Sequence, residues 1–383
     1  MFMKKILFSA FAGVSLLLSS CAQPDSQPTE GSTVGFALSF FRNVDSCTPK
    51  GENLVVSPYS AGVVFSMLEE GAEGETKAEF DNALNGCLFR AEDLGSEGDV
   101  VVKSANSAWV SDNFSLRNHY VSLLSKDYDA FITTQNFSDP ATVKAINNWC
   151  SENTEGKITE IIDELGRSDV LVLVNALYFN APWAKEFDPG STYEQVFHGT
   201  SGDVKVQMMG SRTEYAYAEY MGFQMVELPY QGGRYSMYVV LPPVGKDIDT
   251  YMPYLNESVY AEAKKLLTQR EVVLQLPKFK LETSMVLNKP MQKMGIQTAF
   301  SGAADFRGIA ATGPLALSIV KQKCYIDVSE KGTEAAAVTS AQVRLTAVNR
   351  NPVPRFIVDR PFLFFITDNQ TENVLLAGKI VNL

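Results

Sequence analysis

An apolar segment in the middle of the chain, VLVLVNALYF at residues 170–179, constrains the fold more than any other feature. It is rich in Val and Leu, and Asn175 is its one polar residue. A strand with one solvated face alternates apolar and polar residues, and this segment does not. We therefore predict a strand that is buried on both faces. Such a strand lies in a sheet that other elements cover on both sides, so the chain needs a layered fold.

The segments that precede this strand favour helices. Apolar residues from Val63 to Leu68 predict a helix that ends near Gly71. Asp139 followed by Pro140 predicts the start of a second helix, because Asp caps helix ends and Pro suits the first helical position.

The segments that follow it favour strands. Runs bounded by Gly, Pro or polar residues predict strands at 224–229, 235–241, 272–276, 362–367 and 374–380, with a short helix at 287–294. Gly232-Gly233 and the polar residues 368–373 predict hairpin turns. Since no repeat or composition break divides the chain, we predict one α+β domain over residues 33–383, with helices early and strands late.

Residues 1–20 predict a targeting segment that takes no part in the fold. Lys4 and Lys5 precede an apolar run at residues 6–18, which is too short to span a bilayer comfortably. One interpretation of this segment is an ordinary secretion signal; the other is a lipoprotein signal.

The sequence Leu18-Ser19-Ser20-Cys21 resembles a bacterial lipoprotein cleavage site. The resemblance implies a lipoprotein signal peptide over residues 1–20, cleavage before Cys21, and a lipid on the sulfur of Cys21. Ala22 follows instead of Asp, so the expected location is the cell envelope, on the periplasmic or surface face of the outer membrane. The polar, Pro-containing residues 21–32 predict a flexible tether between the lipid and the domain.

Charge and cysteine content narrow the set of partners. The formal net charge is -11, and without residues 1–20 it is 31 basic minus 44 acidic residues, or -13. An acidic chain repels phosphates, so nucleic acid is excluded as a partner.

Four cysteines remain after Cys21, namely Cys47, Cys87, Cys150 and Cys324. They allow three pairings or free buried thiols, and without a Cys-x-x-Cys pair or a nearby His we expect no metal site and no cofactor.

A long segment of small and polar residues, EKGTEAAAVTSAQVRLTAVNRNPVPR at 330–355, separates two predicted strands at 324–328 and 356–358. One alternating set within it is small and suits a core: Thr333, Ala335, Ala337, Thr339, Ala341 and Val343. The other set carries the charges and amides. No Pro lies between Glu330 and Asn351, and Gly332 permits a bend. The segment therefore suits two states, an exposed loop and an inserted strand; the alternative is a plain surface loop.

Several segments resemble the serpin family in the order in which they occur. They are residues 53–80 (with NLVVSPYSAGVVFSML), 173–189 (with LVNALYFNAPW), 226–242, 276–282 (LPKFKLE), 294–309 and 360–382 (RPFLFFITDNQTENVLLAGKIVN). The resemblance implies the serpin fold, with helices early, large mixed or antiparallel sheets and an exposed reactive-centre loop. It also implies a monomer that a target protease cleaves, after which the loop inserts into the central sheet while the protease is still an acyl-enzyme.

The resemblance assigns roles to individual residues. The hinge of the loop is assigned to Glu330, Gly332, Thr333, Glu334, Ala335, Ala336 and Ala337, and the shutter beneath the sheet to Ser57, Asn175 and Gln322. Serpins often have a His where this chain has Gln322, and a hydrogen bond from Gln322 towards Asn175 stays open, since Gln also donates and accepts. The hinge residues Thr333, Ala335 and Ala337 are small and uncharged, which favours an inhibitor over a non-inhibitory serpin.

The bond that the protease cuts has several candidates. Counting from Gly332 by the usual family spacing gives Thr346-Ala347, whereas counting back from Arg360-Pro361 shifts it towards Val348, Asn349 or Arg350. Thr346 or Val348 suits an elastase-like protease, which we favour. Arg350 or Arg344 suits a trypsin-like enzyme with an acid in its pocket.

Two other classes of function are alternatives to inhibition: an enzyme and a binding protein. A Ser-His-Asp hydrolase needs a His base, and the chain has only His119 and His198 and no Gly-x-Ser-x-Gly sequence. Ser57 before Pro58 favours a helix start, so we expect no enzyme. A non-inhibitory serpin-fold binding protein on the cell surface, or a glycan-binding lipoprotein, is the alternative; Trp149 and Trp183 are predicted in the core instead.

Overall fold

The computed structural model describes residues 31–91, 94–95, 98–166, 168–310, 315–333 and 352–383. Its α-helices are α1 (Thr33–Asp45), α2 (Pro58–Glu70), α3 (Gly74–Ala83), α4 (Asn118–Asp127), α5 (Pro140–Asn153), α6 (Glu257–Lys265) and α7 (Asn288–Lys293). Its strands are β1 (Leu54–Val56), β2 (Val101–Ser111), β3 (Ala130–Gln135), β4 (Leu171–Pro182), β5 (Thr192–Gly199), β6 (Gly202–Tyr220), β7 (Phe223–Pro229), β8 (Tyr235–Leu241), β9 (Thr268–Pro277), β10 (Phe279–Val286), β11 (Lys321–Ser329), β12 (Gly332–Thr333), β13 (Arg355–Ile357), β14 (Phe362–Asp368) and β15 (Val374–Ile380).

The two predicted helix starts are confirmed, each with its cap. The Oγ of Ser57 accepts a hydrogen bond from the backbone N–H of Ser60 at 3.1 Å, and Pro58 follows as the first residue of α2. Asp139 caps α5 in the same way. In each case a side chain satisfies a backbone N–H that has no partner inside the helix.

Two sheets carry the strands. A nine-stranded sheet has the order β1-β15-β14-β8-β7-β6-β9-β13, with β5 beside β6, and a six-stranded sheet has the order β10-β11-β12-β4-β2-β3. The predicted hairpins are confirmed, since β14 pairs antiparallel with β15 and β7 with β8. Gly232 and Gly233 turn the second hairpin with φ angles of 77° and 74°, which favour glycine.

The prediction for the apolar strand is correct for its existence and partly wrong for its burial. In β4, Val174, Ala176 and Ala181 are buried, but Leu171 and Leu173 are only half-buried. α5 covers one face of this region. Ile146 of α5 packs there with Val174, together with Trp109 of β2. The opposite face of the first half borders a cavity described below, which is why its burial is incomplete.

The sequence also makes predictions for two tryptophans and leaves the state of four cysteines open. Trp183 is buried, and Trp149 packs against a core cluster, as predicted. Cys47, Cys87, Cys150 and Cys324 are all free thiols. Within the ranges given above, no helix is both long and apolar enough to cross a membrane.

Candidate functional site

The start of the long loop lies inside the six-stranded sheet. Thr333 on β12 pairs with Val328 on β11 and with Ala181 on β4, and both pairings are antiparallel. A Cβ at Gly332 would stand 2.2 Å from the carbonyl oxygen of Ala181. Only glycine permits that close approach, so the hinge glycine predicted from the sequence has a structural reason.

Thr333 points into the core, as its place in the small alternating set predicts. It is 1% exposed, and its Oγ1 lies 2.6 Å from the hydroxyl oxygen of Tyr230. The Tyr230 ring stacks on Trp183 with ring centroids 4.5 Å apart. The Nε1 of Trp183 donates to the carbonyl oxygen of Ser329 at 2.9 Å, so the aromatic pair holds the end of β11 as well as the hinge.

Glu330 is held at the same end of the sheet by two side chains. Its Oε2 lies 2.8 Å from the Nζ of Lys278, and its Oε1 accepts a hydrogen bond from Thr192 at 3.0 Å. Burial disfavours the charged carboxylate, but the hydrogen bonds from Lys278, from its own backbone N–H and from Thr192 outweigh that effect and lower the pKa of Glu330. The hinge therefore begins at a fixed, ionised anchor.

Beyond Thr333 the strands β4 and β11 separate. Among the described residues no ladder joins them directly, and a cavity of about 610 Å³ lies along them. Residues of both strands line it, together with residues of α2 beneath the sheet: Val172, Leu173, Asn175, Lys321, Gln322, Ser60, Val64 and Leu68. Where β12 lies between them, β4 and β11 are two strand spacings apart, or about 10 Å. Among the described residues, the strand position between β4 and β11 is therefore occupied at one end only, by β12.

Two of the predicted shutter residues, Asn175 and Gln322, line this cavity, and the third, Ser57, contacts Gln322; their bonds differ from the expected one. The amide of Gln322 accepts from the backbone N–H of Ser57 at 3.0 Å and donates to the Ser57 carbonyl oxygen at 2.8 Å. Both polar atoms of Gln322 are thus used by the backbone of Ser57. The bond that the sequence left open between Gln322 and Asn175 is not made.

Asn175 is bonded on one side only. Its Nδ2 donates to Ser104 and to Asn106, at 2.9 and 2.7 Å, while its Oδ1 is buried without a hydrogen-bond partner. A buried carbonyl oxygen without a partner costs roughly 1–3 kcal/mol. The open strand position therefore has an unused acceptor beside it.

Several predicted residues lie outside the described residues. They are the hinge residues Glu334, Ala335, Ala336 and Ala337, the scissile candidates Thr346, Ala347, Val348, Arg350 and Arg344, and the lipidation candidate Cys21. The far side of the loop is described again at β13, which pairs in parallel with β9, and the carbonyl oxygen of Arg355 accepts a hydrogen bond from Gln224 at 2.9 Å. The loop is thus held at both ends.

Ser57 and His198, the residues weighed for a hydrolase, each have a different local role. Ser57 is 2% exposed and serves as a helix cap, so it is not an accessible nucleophile. His198 lies 2.8 Å from Asp203, with both side chains exposed on the β5–β6 hairpin.

The sequence analysis missed Tyr230, Lys278 and Thr192. Lys278 lies in the segment LPKFKLE, but no local pattern links it to Glu330, because the contact joins distant parts of the chain.

Two large sheets, with the first residues of a long loop paired as a short strand between β4 and β11, are the arrangement of the serpin fold. The family model described as serpin (serine protease inhibitor) matches residues 32–383, and the chain belongs to the serpin family.

Similar proteins agree with this assignment. A serpin-like protein of Thermococcus kodakarensis is 34% identical over 345 residues, covering 86% of this chain and 80% of the relative. The leukocyte elastase inhibitor of Sus scrofa is 32% identical, covering 90% of this chain and 97% of the relative. Among solved structures, native tengpin, a thermophilic serpin, superposes with a TM-score of 0.83 at 29% identity, over 92% of this chain and 93% of the other. Thyroxine-binding globulin in complex with thyroxine reaches 0.80 at 26% identity, over 91% and 98%.

Proposed function

We propose that the chain inhibits a serine protease, or a cysteine protease, by offering residues 334–354 as bait and then inserting the cut loop between β4 and β11. The observation that carries this proposal is the pairing of Thr333 with Val328 and Ala181, which places the start of the loop between two strands that no ladder of described residues joins directly. Unpaired strand edges are templates for another strand. The nearest strand available to fill this one is the chain that continues from Thr333.

The register of β12 determines how much of the loop fits. Since Thr333 pairs with Ala181, continuing the antiparallel ladder along β4 sets residue 334 opposite Asn180 and residue 343 opposite Leu171. The open edge of β4 therefore takes ten residues, 334–343, or roughly 34 Å of strand at 3.4 Å per residue. In this register the residues of the small set face the core on the same side of the sheet as Thr333. They are Ala335, Ala337, Thr339, Ala341 and Val343.

The two anchored ends of the loop explain why cutting is required. With Thr333 in the sheet and Arg355 on the edge of β9, an intact loop stays tied to both strands, and cutting frees its upstream part from the anchor on β9. When a protease serine attacks the carbonyl carbon, an ester forms, the peptide bond breaks and the amine leaves with the proton. The upstream part is then free to insert and carries the ester-linked protease with it.

The length of the slot favours a cut after residue 343. Thr346-Ala347 meets this condition and leaves three residues beyond the filled slot, and Val348 or Arg350 also meets it. Arg344 leaves a single residue. We propose Thr346-Ala347 and an elastase-like target, and the leukocyte elastase inhibitor among the relatives is in keeping with this choice.

The test mixes the detergent-solubilised full chain with pancreatic elastase and, separately, with trypsin. We expect a covalent complex that resists denaturant on a gel, and mass spectrometry of the released C-terminal peptide identifies the cut bond. Ala335→Arg places a long charged side chain on the inward set, so this variant should be cut without trapping. Ala336→Arg, on the outward set, is the matched control and should still trap.

The second candidate is a serpin-fold binding protein without inhibitory activity, and the similarity to thyroxine-binding globulin favours it. Cleavage of the loop by a panel of serine and cysteine proteases without any covalent complex would support this candidate and contradict inhibition.

We also propose that Cys21 carries a lipid that anchors the protein in the bacterial outer membrane, on its periplasmic or surface face. Metabolic labelling with a radioactive fatty acid should label the wild type and leave Cys21→Ser unlabelled. Equal labelling of both would contradict the anchor.

A further inference from the structure

Four apolar or aromatic side chains form a patch at one end of the nine-stranded sheet, here called the end patch: Met221, Phe223, Val244 and Tyr251. Met221 is 72% exposed and Val244 is 80% exposed. Phe223 and Tyr251 are half-buried, and their rings meet edge to face with centroids 4.6 Å apart. Exposed apolar side chains that cluster on a soluble domain are typical of protein-binding surfaces.

The strand order brings these side chains together. Gln224 at the start of β7 pairs with Leu241 at the end of β8, so the turn before β7 lies beside the loop after β8. A Cβ on Gly222 would lie 3.3 Å from the Cγ of Pro243, which shows how closely the two turns approach. Met221 and Val244 therefore belong to adjacent turns.

The backbone at Met221 is unusual for such a residue. Its φ angle is 52°, in the left-handed region that glycine, asparagine and aspartate adopt more readily. Met221 thus combines an unfavourable backbone conformation with an exposed apolar side chain. Neither property helps the fold, and residues held in uncommon backbone conformations concentrate at functional sites.

The end patch lies beside the downstream anchor of the bait loop. Gln224, next to Phe223, donates to the carbonyl oxygen of Arg355 at 2.9 Å, and Arg360 donates to the carbonyl oxygen of Pro242 at 3.0 Å. From Thr346 to Arg355 an extended chain reaches at most about 30 Å. A protease catalytic domain is about 40 Å across, so one bound at the scissile bond is large enough to contact the patch.

We propose that the end patch is a second contact surface for the target protease. The partner is a protease with apolar side chains on the rim of its cleft, on the side that receives the residues after the cut bond. This inference rests on the proposed inhibitory function and adds to it a determinant of which protease is captured. The loop supplies the residues that enter the cleft, and the patch speeds capture by stabilising the first non-covalent complex.

The test compares full chains in detergent, using whichever of pancreatic elastase and trypsin the wild type traps. The double variant Met221→Asn with Val244→Ser removes the exposed apolar groups, and Asn tolerates the left-handed backbone. Val286→Ser is the matched control, because Val286 is 51% exposed and pairs with Lys321, at the opposite end of the six-stranded sheet from the hinge. Equal thermal midpoints for all three chains establish that they are folded.

We expect the second-order rate of trapping to fall roughly tenfold in the double variant and to stay unchanged in Val286→Ser; this factor equals about 1.4 kcal/mol and corresponds to partial burial of the two side chains in the first complex. The number of inhibitor molecules consumed per trapped protease should not change. With a protease whose catalytic serine is replaced by alanine, Kd should rise by the same factor.

Each result has one meaning. If the double variant traps the protease as fast as the wild type does, the proposal for the end patch is wrong and the inhibitory function stands. Absence of trapping by the wild type overturns both. Loss of a wild-type dimer in the double variant, with an unchanged trapping rate, would assign the patch to a second copy of this chain and contradict the proposal.

Discussion

At the scale of single residues, the hinge is defined by what Thr333 touches. A buried threonine needs a partner for its hydroxyl, and Tyr230 provides it from a ring that is itself fixed by stacking on Trp183. In the proposed mechanism the bond exists before the cut, and continuing the register of β12 keeps it after insertion. It therefore contributes to stability equally in both states.

Replacing Tyr230 with phenylalanine tests this reasoning. Tyr230→Phe leaves the Thr333 hydroxyl buried without its partner, so we expect the free energy of unfolding to fall by about 1–2 kcal/mol, measured with denaturant. Thr333→Val and the double variant complete a cycle that isolates the bond. The amount of inhibitor consumed per trapped protease should stay constant; an increase in Tyr230→Phe would mean that the bond changes during insertion.

The Glu330 anchor predicts a dependence on pH. Because its pKa is lowered from the ordinary 4.5 on folding, the stability that it contributes is complete above pH 4.5 and is lost as pH falls through the lowered pKa. Lys278 is partly exposed, so we expect about 0.5–1 kcal/mol at pH 7. Glu330→Gln should be less stable than wild type at pH 7 and equal to it at pH 2.5.

Glu194 provides the control for this measurement, since it forms an ion pair with Lys205 at 2.7 Å in which both side chains are exposed. Glu194→Gln should have little effect at either pH. A stability difference for Glu330→Gln that persists at low pH would show that the carboxylate charge is not the cause.

At the scale of elements, the register of β12 gives the unused acceptor of Asn175 a partner. Continuing the two ladders sets Thr339 opposite Asn175 on β4 and opposite Gln322 on β11. Thr339 is the one hydroxyl residue after Thr333 in the small set. Its hydroxyl can donate to the Oδ1 of Asn175, which has no partner before insertion.

Thr339→Val should therefore weaken the inserted state alone. We expect the uncut chain to keep its stability and the loop-cut chain to lose about 1–2 kcal/mol, measured by guanidinium unfolding of each. Ser340→Ala, on the outward set, is the matched control and should change neither. Equal losses in cut and uncut Thr339→Val would contradict the register.

The same scale shows what the sequence could predict. Caps and turns are local, so Ser57, Asp139 and the Gly232-Gly233 turn were identified correctly from a few adjacent residues. The half-burial of Leu171 and Leu173 could not be predicted, because it depends on the distance to β11 and not on any property of β4. The bonds of Gln322 with Ser57, and of Lys278 with Glu330, are long-range pairings that periodicity does not encode.

At the scale of the whole molecule, the described residues fill the strand position between β4 and β11 only at β12, and a cavity of about 610 Å³ lies along these strands. Filling this position adds backbone hydrogen bonds on both sides of a ten-residue strand and buries small apolar side chains. The ordering of that strand opposes the gain, at about 1–2 kcal/mol per residue, but a complete ladder with a dry core face outweighs it. In the proposed mechanism the uncut chain lacks this gain, because Arg355 ties the loop to β9.

Cutting the loop should therefore make the protein more stable, which is the reverse of the usual effect of proteolysis. We expect the thermal midpoint to rise by about 10 °C or more after cleavage within residues 344–350, since a gain of several kcal/mol corresponds to about 2 °C per kcal/mol in a large domain. Ala337→Pro is the control, because proline removes a backbone N–H from the middle of the new strand and should abolish most of the rise. A similar rise in both chains would mean that relief of loop strain, not strand insertion, stabilises the cut protein; no rise in the wild type would show that the open position is not filled by the loop.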